Sequence, residues 1–235
     1  MQRYLFLILL LFSVALSSCK DEGPSPDASL MGDSDHKYSY LALGDSYTIG
    51  ESVPAADRWG GQLAGLLREE GIDVGDPATI ARTGWTTSEL AKAIKDANPK
   101  PDFDLVSLLV GVNNQYRGQS ISTFRTEFRD LLQTSIRLAK DDPGNVIVLS
   151  IPDWGATPYG QSRDQERIST EIEAFNAVAK DEAQKAGVTF INITPLSREA
   201  LNDPSYVAND GLHYSGKMHL EWAKLALAQA KKSIQ

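Results

Sequence analysis

A serine at the end of an apolar run is the first residue of this chain whose type and place suggest chemistry. In the stretch "LALGDSYTIG", residues 41–50, the run stops at Gly44-Asp45-Ser46. A serine there could cap a helix, bind a phosphate or act as a nucleophile. A P-loop needs Gly-x4-Gly-Lys-Ser/Thr, and this stretch has neither that glycine spacing nor a lysine. P-loop nucleotide binding is therefore excluded.

Two other loop types place a serine after a strand. A flavodoxin-like phosphate loop stays open as an alternative, because the hydroxyls of Ser46 and Thr48 lie between Gly44 and Gly50. The nucleophile elbow of α/β-hydrolases needs glycine on both sides of the serine, as in Gly-x-Ser-x-Gly, but Thr48 occupies the second position. That elbow is disfavoured.

A nucleophilic serine needs a base, and the chain has three histidines. His36 lies in a polar N-terminal segment and His219 in a segment of helical period, which leaves His213. Asp210, three residues earlier in "NDGLH", can hold Nδ1–H of the imidazole while Nε2 faces the serine. Such a base must be neutral, so activity should fall on acidification. The alternative is that "NDGLH" is only a turn before a helix, with Asp210 as a local cap.

The elements that must position these residues are strands alternating with helices. From Lys37 onward, apolar runs rich in β-branched residues alternate with longer segments of helical period, which predicts βα units and a parallel sheet. We expect an α/β fold, a three-layer α/β/α sandwich with a five-stranded parallel sheet. The predicted strands are residues 38–43, 79–82, 105–110, 146–151 and 188–193.

Apolar stripes predict the main helices between and after these strands. Gly187 is expected to end the second of them, and Thr86 and Glu89 have the spacing of a capping box at the start of a shorter one. The stripes are Ile121, Phe124, Phe128, Leu131 and Leu132, then Ile168, Ile172, Phe175 and Ala179, then Met218, Trp222 and Leu225.

Polar residues follow every predicted strand. Ligands of such sheets bind beyond the carboxyl ends of the strands, so these residues should meet at one rim. Along the chain these segments are Gly44-Asp45-Ser46, Thr83-Gly84-Trp85, Gly111-Val112-Asn113-Asn114, Pro152-Asp153-Trp154, and a long loop ending "NDGLH" with Asp210 and His213.

In this order the motifs resemble the SGNH branch of GDSL-type hydrolases, over about residues 40–222. The motifs are "GDSYTIG", Gly84, "GVNN" and the Asp-x-x-His pair. The resemblance implies the flavodoxin-like SGNH hydrolase fold and a serine esterase with a Ser46–His213–Asp210 triad and an acyl-enzyme. It also implies an oxyanion hole formed by the N–H groups of Ser46 and Gly84 and by the side-chain amide of Asn113. No metal or cofactor is required.

One position departs from the family pattern. The usual Gly-x-Asn-Asp reads Gly-x-Asn-Asn here, so Asn114 replaces an aspartate. This puts in doubt how the loop is supported, but not the donor at Asn113.

Four aromatic residues lie beside the expected catalytic residues. Tyr47, Trp85, Tyr116 and Trp154 could stack on sugar rings or line an acyl groove, or could simply pack the loops. The resemblance implies a small-molecule or glycan ester as substrate, since the family includes carbohydrate acetylesterases, lysophospholipases and thioesterases. A non-catalytic glycan- or anion-binding lipoprotein on the same scaffold is the rival interpretation. We expect a monomer.

The N-terminus has the pattern of a lipoprotein signal. Arg3 precedes an apolar run that is short for a membrane span, and "LSSC" resembles a lipobox ending at Cys19, the single cysteine of the chain. An ordinary secretory signal with an incidental cysteine is the alternative. We predict a signal peptide at residues 1–18, a flexible tether at 19–36 with a lipid anchor on Cys19, and a hydrolase domain at 37–235.

Composition limits the location and the partners. The 235 residues carry a net charge of −8, which argues against binding a nucleic-acid backbone. "KDE" after Cys19 resembles a signal that sends lipoproteins to the outer face of the outer membrane in some Gram-negative bacteria. We therefore expect the cell envelope of a Gram-negative bacterium, with the protein lipid-anchored to the outer membrane.

Overall fold

A computed structural model describes residues 35–234. The predicted signal peptide and most of the predicted tether lie outside the described residues. Of the tether, Asp35 and His36 are described, and His36 Nδ1 lies 2.6 Å from Asp73 Oδ1 on the surface of the domain.

The centre of the fold is a parallel sheet of five strands. The strands lie in the order β2-β1-β3-β4-β5, which is the flavodoxin-like order, and this confirms the predicted fold class. Each strand is shorter than or shifted from its sequence prediction by one or a few residues. The strands are β1 (Tyr40–Gly44), β2 (Ala78–Ala81), β3 (Leu105–Leu109), β4 (Val146–Leu149) and β5 (Thr189–Ile191).

Helices form two further layers around the sheet. The long ones are α2 (Trp59–Glu69), α3 (Thr87–Ala97), α5 (Ile121–Leu138), α7 (Gln165–Lys185) and α9 (Gly216–Ile234). The short ones are α1 (Ser46–Ile49), α4 (Val112–Tyr116), α6 (Pro158–Gln161) and α8 (Thr194–Ser197). Helix α2 packs on α9, while α5 packs between α3 and α7. The predicted three-layer sandwich is therefore confirmed.

Local signals in the sequence set several helix ends. Thr86 and Glu89 form the predicted capping box at the start of α3. Gly187 follows α7 with a φ of +74°, a left-handed conformation that glycine adopts without strain. The capping box starts α3 directly after the loop that carries Gly84 and Trp85.

Two apolar residues of the predicted stripes face solvent instead of the core. Ile121 is 37% exposed at the first position of α5, and Leu225 is 49% exposed in α9. Leu225 lies two helical turns after the fully buried Met218, on the same side of the helix. Periodicity identifies the face of a helix, but it does not give the length over which neighbouring elements cover that face.

Candidate active site

Ser46 lies at the carboxyl end of β1, as the first residue of α1. The preceding Asp45 caps this short helix, because its Oδ1 accepts a hydrogen bond of 3.1 Å from Tyr47 N–H. Gly44 lets β1 approach β3 closely: a Cβ added there would lie 2.4 Å from the carbonyl oxygen of Leu109. The chain therefore turns sharply and leaves Ser46, 5% exposed, at the rim of the sheet.

The predicted base and its carboxylate are in direct contact. His213 Nδ1 lies 2.6 Å from Asp210 Oδ2, and the N–H groups of Leu212 and His213 each donate to Asp210 Oδ1 over 2.9 Å. Partial burial alone would raise the pKa of Asp210, but the hydrogen bonds from His213, Leu212 and the Ser52 hydroxyl hold that pKa well below its usual range. Asp210 therefore stays ionised, and the imidazole nitrogen left to accept a proton is Nε2.

Ser46 and His213 open into the same cavity of about 210 Å³. Within residues 35–234, the Ser46 hydroxyl has no hydrogen-bond partner, so the two side chains share the cavity without a hydrogen bond between them. Catalytic hydrogen bonds are often long or unformed before substrate binds. The residues lining the cavity are Ser46, Tyr47, Val112, Asn113, Tyr116, Trp154, Tyr159, Leu212 and His213.

Of the four aromatic residues predicted to bind substrate, three line this cavity. Tyr47, Tyr116 and Trp154 do so, whereas Trp85 lies outside the lining and packs against the edge of the core. Tyr159, which no sequence motif singled out, lies opposite Tyr116, and their hydroxyls are 3.1 Å apart. Both rings contact Trp154, with centroid distances of 5.6 and 6.0 Å. With Tyr47, four of the nine lining residues are therefore tyrosine or tryptophan.

Two of the three expected oxyanion donors, Asn113 and Gly84, lie on neighbouring loops. Asn113 lines the cavity, and its Nδ2 donates to the carbonyl of Trp85 over 2.9 Å, which uses one of its two N–H groups. Gly84 lies outside the lining, with a φ of +88°, and its carbonyl accepts a hydrogen bond of 2.6 Å from Arg117. In the described part of the chain, the Gly84 N–H has no protein partner. Both loops therefore keep a donor available for a ligand.

Asn114, the departure from the family pattern, is fully buried behind this loop. Its Oδ1 accepts from Thr87 N–H over 3.1 Å, and its Nδ2 donates to the Thr87 hydroxyl and to Gln119 Oε1, each over 2.6 Å. The amide therefore ties the loop after β3 to the start of α3. A carboxylate at this position could accept the same N–H but could not donate to Gln119.

The other two histidines lie away from the cavity. His219 Nδ1 accepts a hydrogen bond of 3.1 Å from Trp59 N–H, and burial lowers the pKa of His219 to about 3. His219 is therefore neutral and has a structural role. In the described part of the chain, no cluster of histidine, cysteine, aspartate or glutamate side chains is arranged to hold a metal ion. Residues 35–234 also contain no helix long and apolar enough to cross a membrane.

The pKa of Asp45, next to Ser46, predicts how the stability of the protein changes with pH. Burial raises the pKa of Asp45 to about 7, opposed by hydrogen bonds from the N–H groups of Tyr47 and Gly111, and its Oδ2 is buried without a hydrogen-bond partner. When folding raises the pKa of a carboxyl group, the group stabilises the folded protein at pH values below its pKa in the unfolded chain. This stabilisation is lost as the pH rises through its pKa in the folded protein. The free energy of unfolding should therefore fall by on the order of 1 kcal/mol between pH 6 and pH 8 because of Asp45.

Urea unfolding of the wild type and of Asp45→Asn at both pH values measures this effect. Asparagine keeps the oxygen that accepts from Tyr47 N–H, but it does not titrate, so the wild type alone should lose the extra stability. Equal pH dependence in the two proteins would show that Asp45 does not titrate in this range.

The chain matches one family model, and its fold is similar to those of several solved structures. A family model described as "GDSL-like Lipase/Acylhydrolase family" matches residues 42–220. A search of curated protein sequences finds no match to the chain.

Several solved structures share the fold at low sequence identity. A lipase/acylhydrolase from Enterococcus faecalis is 20% identical, with a TM-score of 0.62 over 82% of this chain and 94% of that chain. Axe2, an acetylxylan esterase from Geobacillus stearothermophilus, is 19% identical, with a TM-score of 0.60 over 81% of this chain and 93% of that chain. The esterase EstA from Pseudoalteromonas sp. is 16% identical, with a TM-score of 0.59 over 82% and 96%. At these identities the three structures share the fold of this chain.

Proposed function

The chain belongs to the GDSL-like lipase/acylhydrolase family and is a carboxylic ester hydrolase, and we propose that it cleaves acyl or acetyl esters through Ser46, His213 and Asp210. The observation that carries this proposal is the shared cavity of Ser46 and His213, with the Asp210 carboxylate 2.6 Å behind the imidazole. Nucleophile, base and orienting carboxylate are the three parts that serine esterases need.

The reaction would run in two steps. Ser46 Oγ attacks the ester carbonyl carbon, its proton passes to Nε2 of His213, and the N–H groups of Ser46 and Gly84 and the amide of Asn113 stabilise the oxyanion. His213 then gives that proton to the leaving alcohol as the C–O bond breaks, leaving an acyl group on Ser46. Water, deprotonated by His213, attacks the acyl-enzyme, and Ser46 recovers its proton as the carboxylic acid leaves.

The cavity supports a short, uncharged acyl group. Its volume of about 210 Å³ is below the roughly 300–1,000 Å³ of sites that enclose drug-sized ligands. Eight of its nine lining residues have uncharged side chains, and four of the nine are tyrosine or tryptophan. A long acyl chain or an anionic acyl group would have to lie outside it.

The alcohol part of the ester would lie against the exposed edge of the cavity. Tyr116 is 56% exposed there, and a flat aromatic face suits the apolar face of a sugar ring. One neighbour in fold is an acetylxylan esterase, although at 19% identity that similarity concerns the fold. We therefore place acetylated carbohydrates first among the substrate classes, ahead of lysophospholipids and thioesters.

Turnover of a substrate panel, with fluorophosphonate labelling, tests this function. The panel contains acetylated oligosaccharides, lysophospholipids, acyl thioesters and p-nitrophenyl esters from acetate to palmitate, with Ser46→Ala as the control. We expect the highest kcat/KM on acetyl and other short esters, and labelling of the wild type alone. Binding of acetylated oligosaccharides without turnover or labelling would instead favour a non-catalytic glycan-binding lipoprotein.

The location in the cell is a further proposal, carried by the sequence at Cys19. We propose that Cys19 becomes the lipidated first residue of the mature protein and anchors it to the outer membrane. Cys19→Ser should then move the protein from the membrane fraction to the soluble fraction, because the anchor is lost. Its kcat on a water-soluble ester should stay unchanged, since residues 1–36 precede the domain that carries the cavity. Unchanged membrane association of Cys19→Ser would contradict the anchor.

A further inference from the structure

Ser52 has a backbone conformation that serine rarely adopts. It follows α1 in the segment 50–53, with a φ of +61°. In this left-handed region any side chain beyond glycine, asparagine or aspartate is disfavoured. Residues held in such conformations cluster where function requires a particular geometry, so the contacts of Ser52 are of interest.

The Ser52 side chain reaches the carboxylate that orients His213. Its Oγ donates to Asp210 Oδ2 over 2.7 Å, and this is the same oxygen that His213 Nδ1 approaches to 2.6 Å. The other oxygen, Oδ1, accepts two N–H groups from the loop of Asp210 itself. Ser52 is therefore the hydrogen-bond donor to Asp210 that comes from outside that loop, within the described chain.

The segment of Ser52 is fixed relative to the nucleophile. The carbonyl oxygen of Ser46 accepts hydrogen bonds from Gly50 N–H over 3.0 Å and from Glu51 N–H over 2.9 Å. The Glu51 carboxylate in turn accepts from the hydroxyl of Thr83, next to Gly84. The segment of Ser52 is thus hydrogen-bonded to the nucleophile. Its side chain connects this segment to the loop of Asp210, 158 residues later in the sequence.

We propose that Ser52 is a positioning residue for ester hydrolysis, which acts by holding the Asp210 carboxylate so that Nε2 of His213 faces Ser46. The proposal rests on the proposed function of these three residues. Without the hydroxyl, Oδ2 would be bonded to the imidazole alone, and the carboxylate and the imidazole could swing together away from Ser46. The alignment of Nε2 with Ser46 matters more in the transition state than in the bound ester. In the transition state the imidazole holds the serine proton.

Ser52→Gly separates this role from a structural one. Glycine adopts the φ of +61° without strain, so relief of that strain should offset most of the lost hydrogen bond, and the variant should melt close to the wild type. We expect kcat to fall about tenfold with KM changed less than about twofold, as for a lost hydrogen bond to a charged group. Asn98→Gly is the matched control, because Asn98 has a φ of +46° at the end of α3, and it should keep the wild-type kcat.

A double variant tests whether Ser52 acts through Asp210. In an Asp210→Ala background, Ser52→Gly should change kcat by less than about twofold, because the acceptor of its hydrogen bond is gone. Independent effects that multiply in the double variant would overturn the proposal. Wild-type kcat in folded Ser52→Gly would overturn it as well.

Ser46→Ala, measured in parallel, separates failure of this proposal from failure of the proposed function. Loss of activity in Ser46→Ala together with a normal Ser52→Gly would refute the role of Ser52 alone. Full activity in Ser46→Ala would refute the proposed function, and the role of Ser52 with it.

Discussion

Replacing Ser46 or His213 with alanine is expected to lower kcat by about 10⁴–10⁶, and replacing both should lower it no further. Ser46 makes the bond to the acyl group and His213 moves the proton that allows it, so neither residue accelerates the reaction without the other. Each single variant should therefore lose the whole contribution of the pair. The residual rate would come from the oxyanion donors and from binding in the cavity.

Steady-state kinetics on an acetyl ester measure the three variants. Ser122→Ala, an exposed serine near the start of α5, and His36→Ala, a surface histidine, are the matched controls and should keep the wild-type kcat. If the double variant were slower than both single variants by the product of their separate effects, the two residues would act independently. A loss of less than tenfold in Ser46→Ala would assign the nucleophile elsewhere.

The fold could be predicted from the sequence because its signals are local and periodic. Apolar runs such as Leu105–Leu109 are buried along their whole length, as in a sheet covered on both faces, and the segments between them are long enough for crossover helices. The positions of Ser46 and Asn113 then followed from topology, since both come directly after strands that end at the same rim.

The outline of the cavity could not be predicted in the same way. Tyr159 lies in the long connection between β4 and β5, and no periodic pattern shows that its hydroxyl meets that of Tyr116. Trp85 illustrates the opposite case: it directly follows Gly84, yet it packs against the core, and its carbonyl accepts a hydrogen bond from Asn113. The direction of a side chain in a loop depends on tertiary packing, which the sequence pattern does not contain.

Ser52 was missed for a related reason. Serine is common in turns, so the residue type gave no signal, and its left-handed φ is visible only in the structure. Its partner Asp210 is distant in sequence, so only the folded chain brings the two together. Contacts between loops at the rim are therefore determined by the tertiary fold and not by local sequence.

The adjacent residues Asn113 and Asn114 show how similar side chains can serve different roles. Asn113 lines the cavity, and one N–H of its Nδ2 remains after the bond to Trp85. Asn114 is buried, and its amide is fully engaged with Thr87 and Gln119. The departure from the family pattern at Asn114 therefore leaves a supported loop, and Asn113 keeps a donor free.

Asn113→Ala is expected to lower kcat by about 10²–10³, which corresponds to about 3–4 kcal/mol of transition-state stabilisation, with KM nearly unchanged. The amide hydrogen bond strengthens as negative charge develops on the carbonyl oxygen, so it contributes more to the transition state than to the bound ester. Asn114→Ala is the matched control. It should lower the free energy of unfolding by about 1–3 kcal/mol, because it leaves Thr87 N–H and Gln119 Oε1 without their partner, and it should affect kcat less.

Kinetics and thermal melting of both folded variants separate a donor from a loop support. If Asn113 only tied the loop to Trp85, Asn113→Ala would resemble Asn114→Ala, with reduced stability and a kcat close to wild type. A kcat for Asn113→Ala within about threefold of the wild type would remove Asn113 from the oxyanion hole, since loss of one donor at a developing charge costs far more than that. Gly84 and Ser46 would then have to stabilise the oxyanion through backbone N–H groups alone.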